Sequence, residues 1–289
     1  MRVFITGGSG YIGAPTITAL RRRDIEVSAL VRSDQSARVV AGLGATPVRG
    51  GLTDVAVLRA AAADADGVIH LGQHRGADTA DVDRAASEAL LAGLGGRGAY
   101  VHTGGTWVYG DTDGVVDEDA PASPPPIVAW RAENEKRVLA SAADGANPVL
   151  VMPGVVYGGG GGLLEAFYAA PARAEHLART VGDGSNHWTM IHVEDIAELY
   201  VAALRAPAGA VYAGSIDRYP TQAEVVAAVA GSLSLPGRTG TLTLDEARDK
   251  MGPIAEAFAL DQRVTGARAR QQLDWQPRHL DPVAELAAG

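Results

Sequence analysis

The stretch TGGSGYIG (6–13) constrains this chain more than any other. It follows a short apolar run rich in β-formers, RVFIT (2–6), and opens a segment of helical period, YIGAPTITALRRR (11–23). Its glycines satisfy both G-x-G-x-x-G (Gly8, Gly10, Gly13) and G-x-x-G-x-x-G (Gly7, Gly10, Gly13). In a strand–loop–helix, glycine permits the sharp turn and a close backbone approach, and the free N–H groups at the helix start face a pyrophosphate. On this reading Gly7, Ser9, Gly10, Tyr11, Ile12 and Gly13 contact a dinucleotide. A purely structural turn is the alternative.

The pattern continues to residue 152. EVSALV (26–31), TPVR (46–49), GVIHL (67–71), AYVHT (99–103) and PVLVM (148–152) have the length of buried strands. Between them, segments 36–44, 54–63, 78–95 and 127–143 have helical period. The alternation predicts an α/β fold, a doubly wound parallel sheet of Rossmann type with right-handed crossovers. Residues 1–153 are expected to form the nucleotide-binding core, with later segments returning to it. Residues 154–289 mainly form a small mixed C-terminal substrate lobe, with helices at 194–205 and 221–232. Gly158–Gly162 is expected to be a mobile loop, since five glycines cannot hold a helix or strand without large entropic loss.

Composition narrows the function classes. No cysteine is present, so disulfides and thiolate chemistry are excluded, and no metal is expected. The start carries no secretion-signal pattern and no apolar run reaches membrane length, so a soluble, cytoplasmic protein is expected. A net charge of −9 disfavours nucleic acid and anionic lipid as partners, leaving a small-molecule substrate.

The second strand ends in ALVRSDQS, which puts Arg32 and Ser33 where a carboxylate would otherwise bind the adenosine ribose. An arginine there pairs with a 2′-phosphate, which favours NADP(H). Asp34 keeps NAD(H) open. Leu52, Leu71, Gly72 and Thr103 are further expected cofactor contacts.

With TGGSGYIG, HTGGTWVYG (102–110), MPGVVYG (152–158), WTMIHVEDIAELYVAAL (188–204) and LDWQP (273–277), the chain resembles the atypical and extended short-chain dehydrogenase/reductases, notably the NAD-dependent epimerase/dehydratase branch. The resemblance implies a Rossmann core, a substrate lobe, and catalysis by a Ser/Thr, a Tyr and a Lys, the last two spaced Y-x-x-x-K. That spacing stacks a lysine one turn from a phenol and lowers the phenol's pKa. Lys136, one of two lysines in the chain, is assigned to the lysine position, where it would bind the nicotinamide ribose, and the resemblance also implies that Pro153, Val155 and Val156 lie against the nicotinamide.

The tyrosine is absent, because residue 132 is Ala, and Gly104 and Gly105 stand where the resemblance expects serine or threonine. A substitute proton donor is sought among Lys136 or a water it holds, Thr106, Tyr109, Tyr157 and His102. His74, Gly105, Trp107, Arg131, Tyr157 and His187 are the candidates for contact with substrate. Glu194 and Asp195 are read as capping a helix and orienting the lobe. The leading expectation is an NADP(H)-dependent oxidoreductase acting on a small carbonyl or related compound. An epimerase, dehydratase or lyase with transient redox is the second, and a non-catalytic dinucleotide sensor the third. A homodimer through the two helices at 78–95 and 127–143 is expected on the same resemblance.

Overall fold

The computed structural model describes residues 1–289. Its first strand, β1 (Arg2–Thr6), carries Val3, Phe4 and Ile5 with no exposed surface, because helices cover both faces of the sheet around it. The strands β2 (Glu26–Val31), β3 (Thr46–Arg49), β4 (Gly67–His70), β5 (Ala99–Thr103), β6 (Asn147–Pro153) and β7 (Val211–Gly214) complete that sheet. Its order is β7-β6-β5-β4-β1-β2-β3, and every pairing is parallel. The order reverses between β1 and β4, and there a ligand crevice opens at the carboxyl ends of the strands.

The helices are α1 (Gly13–Arg21), α2 (Asp34–Gly42), α3 (Val55–Ala63), α4 (Thr79–Leu94), α5 (Ala129–Ala140) and α6 (Val193–Ala203), with shorter ones between. On one face Ile17 and Leu20 of α1 and Ile196, Leu199 and Tyr200 of α6 pack on Val3, Ile5, Val149 and Val151. On the other, Leu58, Ala62, Ala86 and Leu90 of α3 and α4 pack on Phe4, Val68 and Tyr100, joined by Val138 of α5. Each large side chain so buried stabilises the fold by about 1.5–3 kcal/mol.

A separate cluster holds the lobe together, with Tyr157, Tyr168, Trp188, Val225 and Phe258 buried in it. Its strands are short parallel pairs, Val155–Tyr157 with Met190–His192 and Ala178–Val181 with Thr239–Leu242. Later chain returns to the sheet through β7 and through Ala269 and Trp275, which join the core of the first face. The Trp275 indole donates to Asp195 O at 3.0 Å, and the Asp195 carboxylate accepts from the Arg278 and His279 amides. Asp195 thus orients the C-terminal segment against α6.

The expected glycine loop is shorter by one residue, because Gly162 opens a helical segment that continues to Glu175. Gly158, Gly159 and Gly160 all have positive φ. The loop is tied down at one point, where the Tyr11 hydroxyl donates to Gly158 O at 2.6 Å. No helix is long and apolar enough to cross a membrane.

Candidate active site

The turn after β1 is built around atoms that tolerate no side chain. A Cβ on Gly13 would lie 2.1 Å from Gly7 O, and one on Gly7 would lie 2.8 Å from Gly72 N. Glycine at these two positions therefore lets the first turn of α1 close on β1 and β4. Gly7 also has φ +71°, the region glycine tolerates best. Ser9 and Gly10 are exposed, and Ile12 stands half-buried at the start of α1. Across the crevice Gly72 N donates to Thr6 Oγ1 at 2.9 Å, with Leu71 beside it, and Leu52 packs against the Gly72 position. The cradle fits a pyrophosphate, since its backbone faces the crevice free of side chains at the positive end of α1.

At the end of β2, Ser33 caps α2, its hydroxyl accepting from Ser36 N at 3.1 Å. Asp34 is held in an ion pair with Arg49 of β3. Arg32 is exposed beside them.

On α5, Lys136 is exposed. The residues turned inward are Arg131, half-buried, and Asn134 and Glu135, both nearly sealed. Arg131 Nη1 donates to Thr103 O at 3.2 Å, while its guanidinium carbon lies 4.5 Å from the centre of the Trp130 ring. Glu135 is 5% exposed, and a Cβ on Gly104 would fall 2.6 Å from its Oε1. Arg131 and Glu135 share the one-turn spacing expected of the Tyr and Lys, but one residue earlier, on the more buried side of α5. Burial drives the Glu135 carboxyl upward, the Arg131 cation opposes and the Asp83 carboxylate reinforces, and the pKa reaches about 7.

Beneath this point lies a buried polar group that the sequence reading did not find. His70 Nε2 stands 3.5 Å and His102 Nε2 3.9 Å from the two oxygens of Asp83, and Asn134 Nδ2 donates to Asp83 at 3.1 Å. Burial alone would raise the Asp83 pKa, but His70, His102 and Asn134 outweigh it and hold the carboxyl at about 2. Burial instead lowers His102 to about 3, so its imidazole is neutral and hydrogen-bonded to the Tyr100 hydroxyl at 3.0 Å. That arrangement is a core histidine, which removes His102 from the proton donors.

The other candidates separate by contact. The Thr103 hydroxyl donates to His70 O at 2.7 Å and accepts from the Tyr200 hydroxyl at 3.0 Å. Tyr109 is buried with its hydroxyl on Glu118 O at 3.3 Å, and burial raises its pKa, so it packs under the site and does not donate into it. Tyr157 is also buried and raised, with its hydroxyl on His279 O at 3.2 Å, which turns it to the C-terminal segment and away from α5. Val155 shares the lobe core with Tyr157, whereas Val156 joins the sheet core, and Pro153 is buried at the end of β6. Thr106 opens a short 3-10 turn and Gln262 Nε2 donates to its carbonyl at 2.8 Å. Trp107 packs edge-on to Phe258, and His187 pairs with Asp261 at 2.9 Å, so segment 258–263 gathers both into the lobe wall. His74 makes a local contact with Asp78 at 3.0 Å. A cavity of 510 Å³ lies apart from α5, and of the candidate residues only Tyr157 lines it. It lies between Tyr157–Gly161, Arg173, His192 and the C-terminal residues from Glu285.

A glycine cradle at the reversal point of a parallel seven-stranded sheet defines a dinucleotide-binding Rossmann protein. The chain belongs to the NAD dependent epimerase/dehydratase family, whose family model matches residues 3–214. An uncharacterized protein of Saccharomyces cerevisiae is 28% identical over 100% of this chain and 98% of its own length. A protein of Stigmatella aurantiaca described as 4-hydroxy-2-methyl-3-oxo-4-farnesyl-3,4-dihydroquinoline-1-oxide ketoreductase is 32% identical over 73% of this chain and 67% of its own. Among solved structures, dTDP-glucose 4,6-dehydratase from Bacillus anthracis, in complex with NAD, superposes with a TM-score of 0.81. At 18% identity, over 99% of this chain and 95% of that one, it shows the shared fold alone.

Proposed function

We propose that the chain is an NADP(H)-dependent reductase of small carbonyl compounds. Support for the reaction comes from the ketoreductase relative, which aligns over 73% of this chain. The observation that carries the cofactor choice is at the end of β2. Asp34 is paired with Arg49 and Asp54 accepts from the Gly51 amide, while Arg32 beside them stands exposed. A 2′-phosphate there would meet a guanidinium and the positive end of α2, whereas a bare ribose would find no free carboxylate. When bound in the cradle, the nicotinamide supplies the hydride. The chain's own part is to hold the pyrophosphate at Gly7–Gly13, to fix the carbonyl compound between the β5 end and the lobe wall, and to move a proton.

The test is purified protein with NADPH or NADH and a panel of 3-oxo compounds, followed by loss of reduced-nucleotide absorbance. NADPH is expected to be preferred at least about tenfold, the equivalent of about 1.4 kcal/mol from one charged pair. Arg32→Ala should remove most of that preference and leave NADH turnover unchanged. Equal use of both nucleotides by the unaltered protein would refute the cofactor assignment. We extend the proposal to a homodimer through α4 and α5, to be checked by light scattering.

A further inference from the structure

Resting on the reading of the chain as a carbonyl reductase, we propose that Glu135 is the proton donor to the substrate oxygen and that Arg131 balances the carboxylate left behind. The geometry has three parts. First, Arg131 and Glu135 lie one helical turn apart on the face of α5 that meets the end of β5, where ligands of such a sheet collect. Second, Glu135 Oε1 together with Met152 Sδ fills the space that a side chain at Gly104, just past β5, would need, so the carboxyl reaches the end of that strand. The adjoining Gly105 faces open space, with no atom within 4 Å of where its Cβ would stand. Third, Glu135 Oε1 is buried without a hydrogen-bond partner. Leaving such an atom unpaired costs about 1–3 kcal/mol, an expense that packing alone does not explain.

The groups facing Glu135 come from several elements. They are Arg131 on its own helix, Asp83 on α4 with its partners His70 of β4 and His102 of β5, and the Tyr109 phenol after β5. Burial, set against Arg131 and reinforced by Asp83, places the carboxyl near neutrality, where a general acid is most effective. As the carbonyl carbon of the substrate accepts hydride, the π pair moves to oxygen. That oxygen takes the Glu135 proton and becomes a hydroxyl. Glu135 is left as a carboxylate beside Arg131 and regains a proton from water. In the oxidative direction the carboxylate accepts the hydroxyl proton.

The test has one arm without nucleotide and one with it. In the free protein carrying 13C-labelled glutamate, the Glu135 carboxyl resonance, assigned by its loss in Glu135→Gln, should titrate near pH 7. Arg131→Gln should move that midpoint upward by losing the nearby cation. In the kinetic arm, kcat/KM for reduction should be level in acid and fall tenfold per pH unit above about 7. Glu135→Gln should lose about a hundredfold to ten-thousandfold and the slope with it. Glu135→Asp should be slower but keep a falling limb, and Glu133→Gln, on the exposed face, should behave as the parent. A Glu135 midpoint between pH 4 and 5, or a Glu135→Gln variant within twofold of the parent at every pH, overturns the donor assignment. A parent protein that consumes neither reduced nucleotide with any 3-oxo compound overturns the reductase reading and the donor role with it, whatever the titration shows.

Discussion

Replacing Glu135 by Gln should stabilise the folded protein at neutral pH, and the gain should vanish in acid. The unfolded carboxyl titrates at its ordinary 4.5 and the folded one at about 7. Below pH 4.5 both states hold the proton, so the shift contributes nothing. Between the two values the folded state holds a proton that the unfolded state has released, and stability falls with rising pH. Above pH 7 the full penalty is in place. The two-and-a-half-unit gap corresponds to about 3 kcal/mol, most of it developing between pH 5 and 7. For a chain of this length the unfolding entropy is roughly 0.6 kcal/mol per kelvin, so the difference in Tm should widen by about 5 °C. The assay is thermal unfolding of both proteins, without nucleotide, at intervals from pH 5 to pH 8. Two curves that run parallel across that range would show that Glu135 is ordinary in the folded state, and both the burial argument and the proton-donor assignment would fall.

Two further changes probe the framework. Gly13→Ala would push a methyl group to 2.1 Å from Gly7 O, both backbone-bound, so the loop must move. A stability loss of about 1–3 kcal/mol and abolished NADPH binding by calorimetry are expected, and tight binding with an unchanged Tm would contradict the cradle. Asp195→Asn keeps the shape but replaces one acceptor with a donor facing the Arg278 or His279 amide. It should cost about 1.5–3 kcal/mol in urea unfolding and expose the C-terminal segment to protease before the sheet domain.

Strands such as RVFIT, EVSALV and AYVHT were legible to the residue, because a strand covered on both faces is written as a short, mainly apolar run rich in β-formers. The short lobe strands were not, since each has two to four residues and finds its partner far along the chain, as Val115 does with Arg263. At the site, the glycine cradle could be read because its requirement is local. The direction of a helical side chain could not be read from residue type. Lysine is scarce in this sequence, which drew attention to Lys136, but scarcity carries no phase. Successive helical residues are 100° apart, and the buried Val138, three residues on, marks the phase that buries Glu135 and leaves Lys136 exposed. Arg131 is named in the sequence as a candidate for substrate contact, whereas nothing local singles out Glu135 among the charged residues of its helix. The usable signal was that a charged pair fell on the apolar phase of its helix.

The missing serine then has a physical explanation. A side chain at Gly104 would collide with Met152 Sδ at 2.3 Å and with Glu135 Oε1 at 2.6 Å, so the two together require glycine at residue 104. Two carboxyls therefore lie under the end of β5 and their surroundings divide them. Asp83, hydrogen-bonded by Asn134 and flanked by two imidazoles, is ionised. Glu135, desolvated and with Oε1 unpaired, is held near neutrality. The ionised member makes the other harder to ionise, which is the electrostatic pattern by which one site keeps a carboxylic acid protonated beside a carboxylate. The Tyr–Lys pair achieves a near-neutral proton donor by lowering a phenol with a cation. This chain approaches the same range from below, by raising a carboxyl through burial and a neighbouring negative charge.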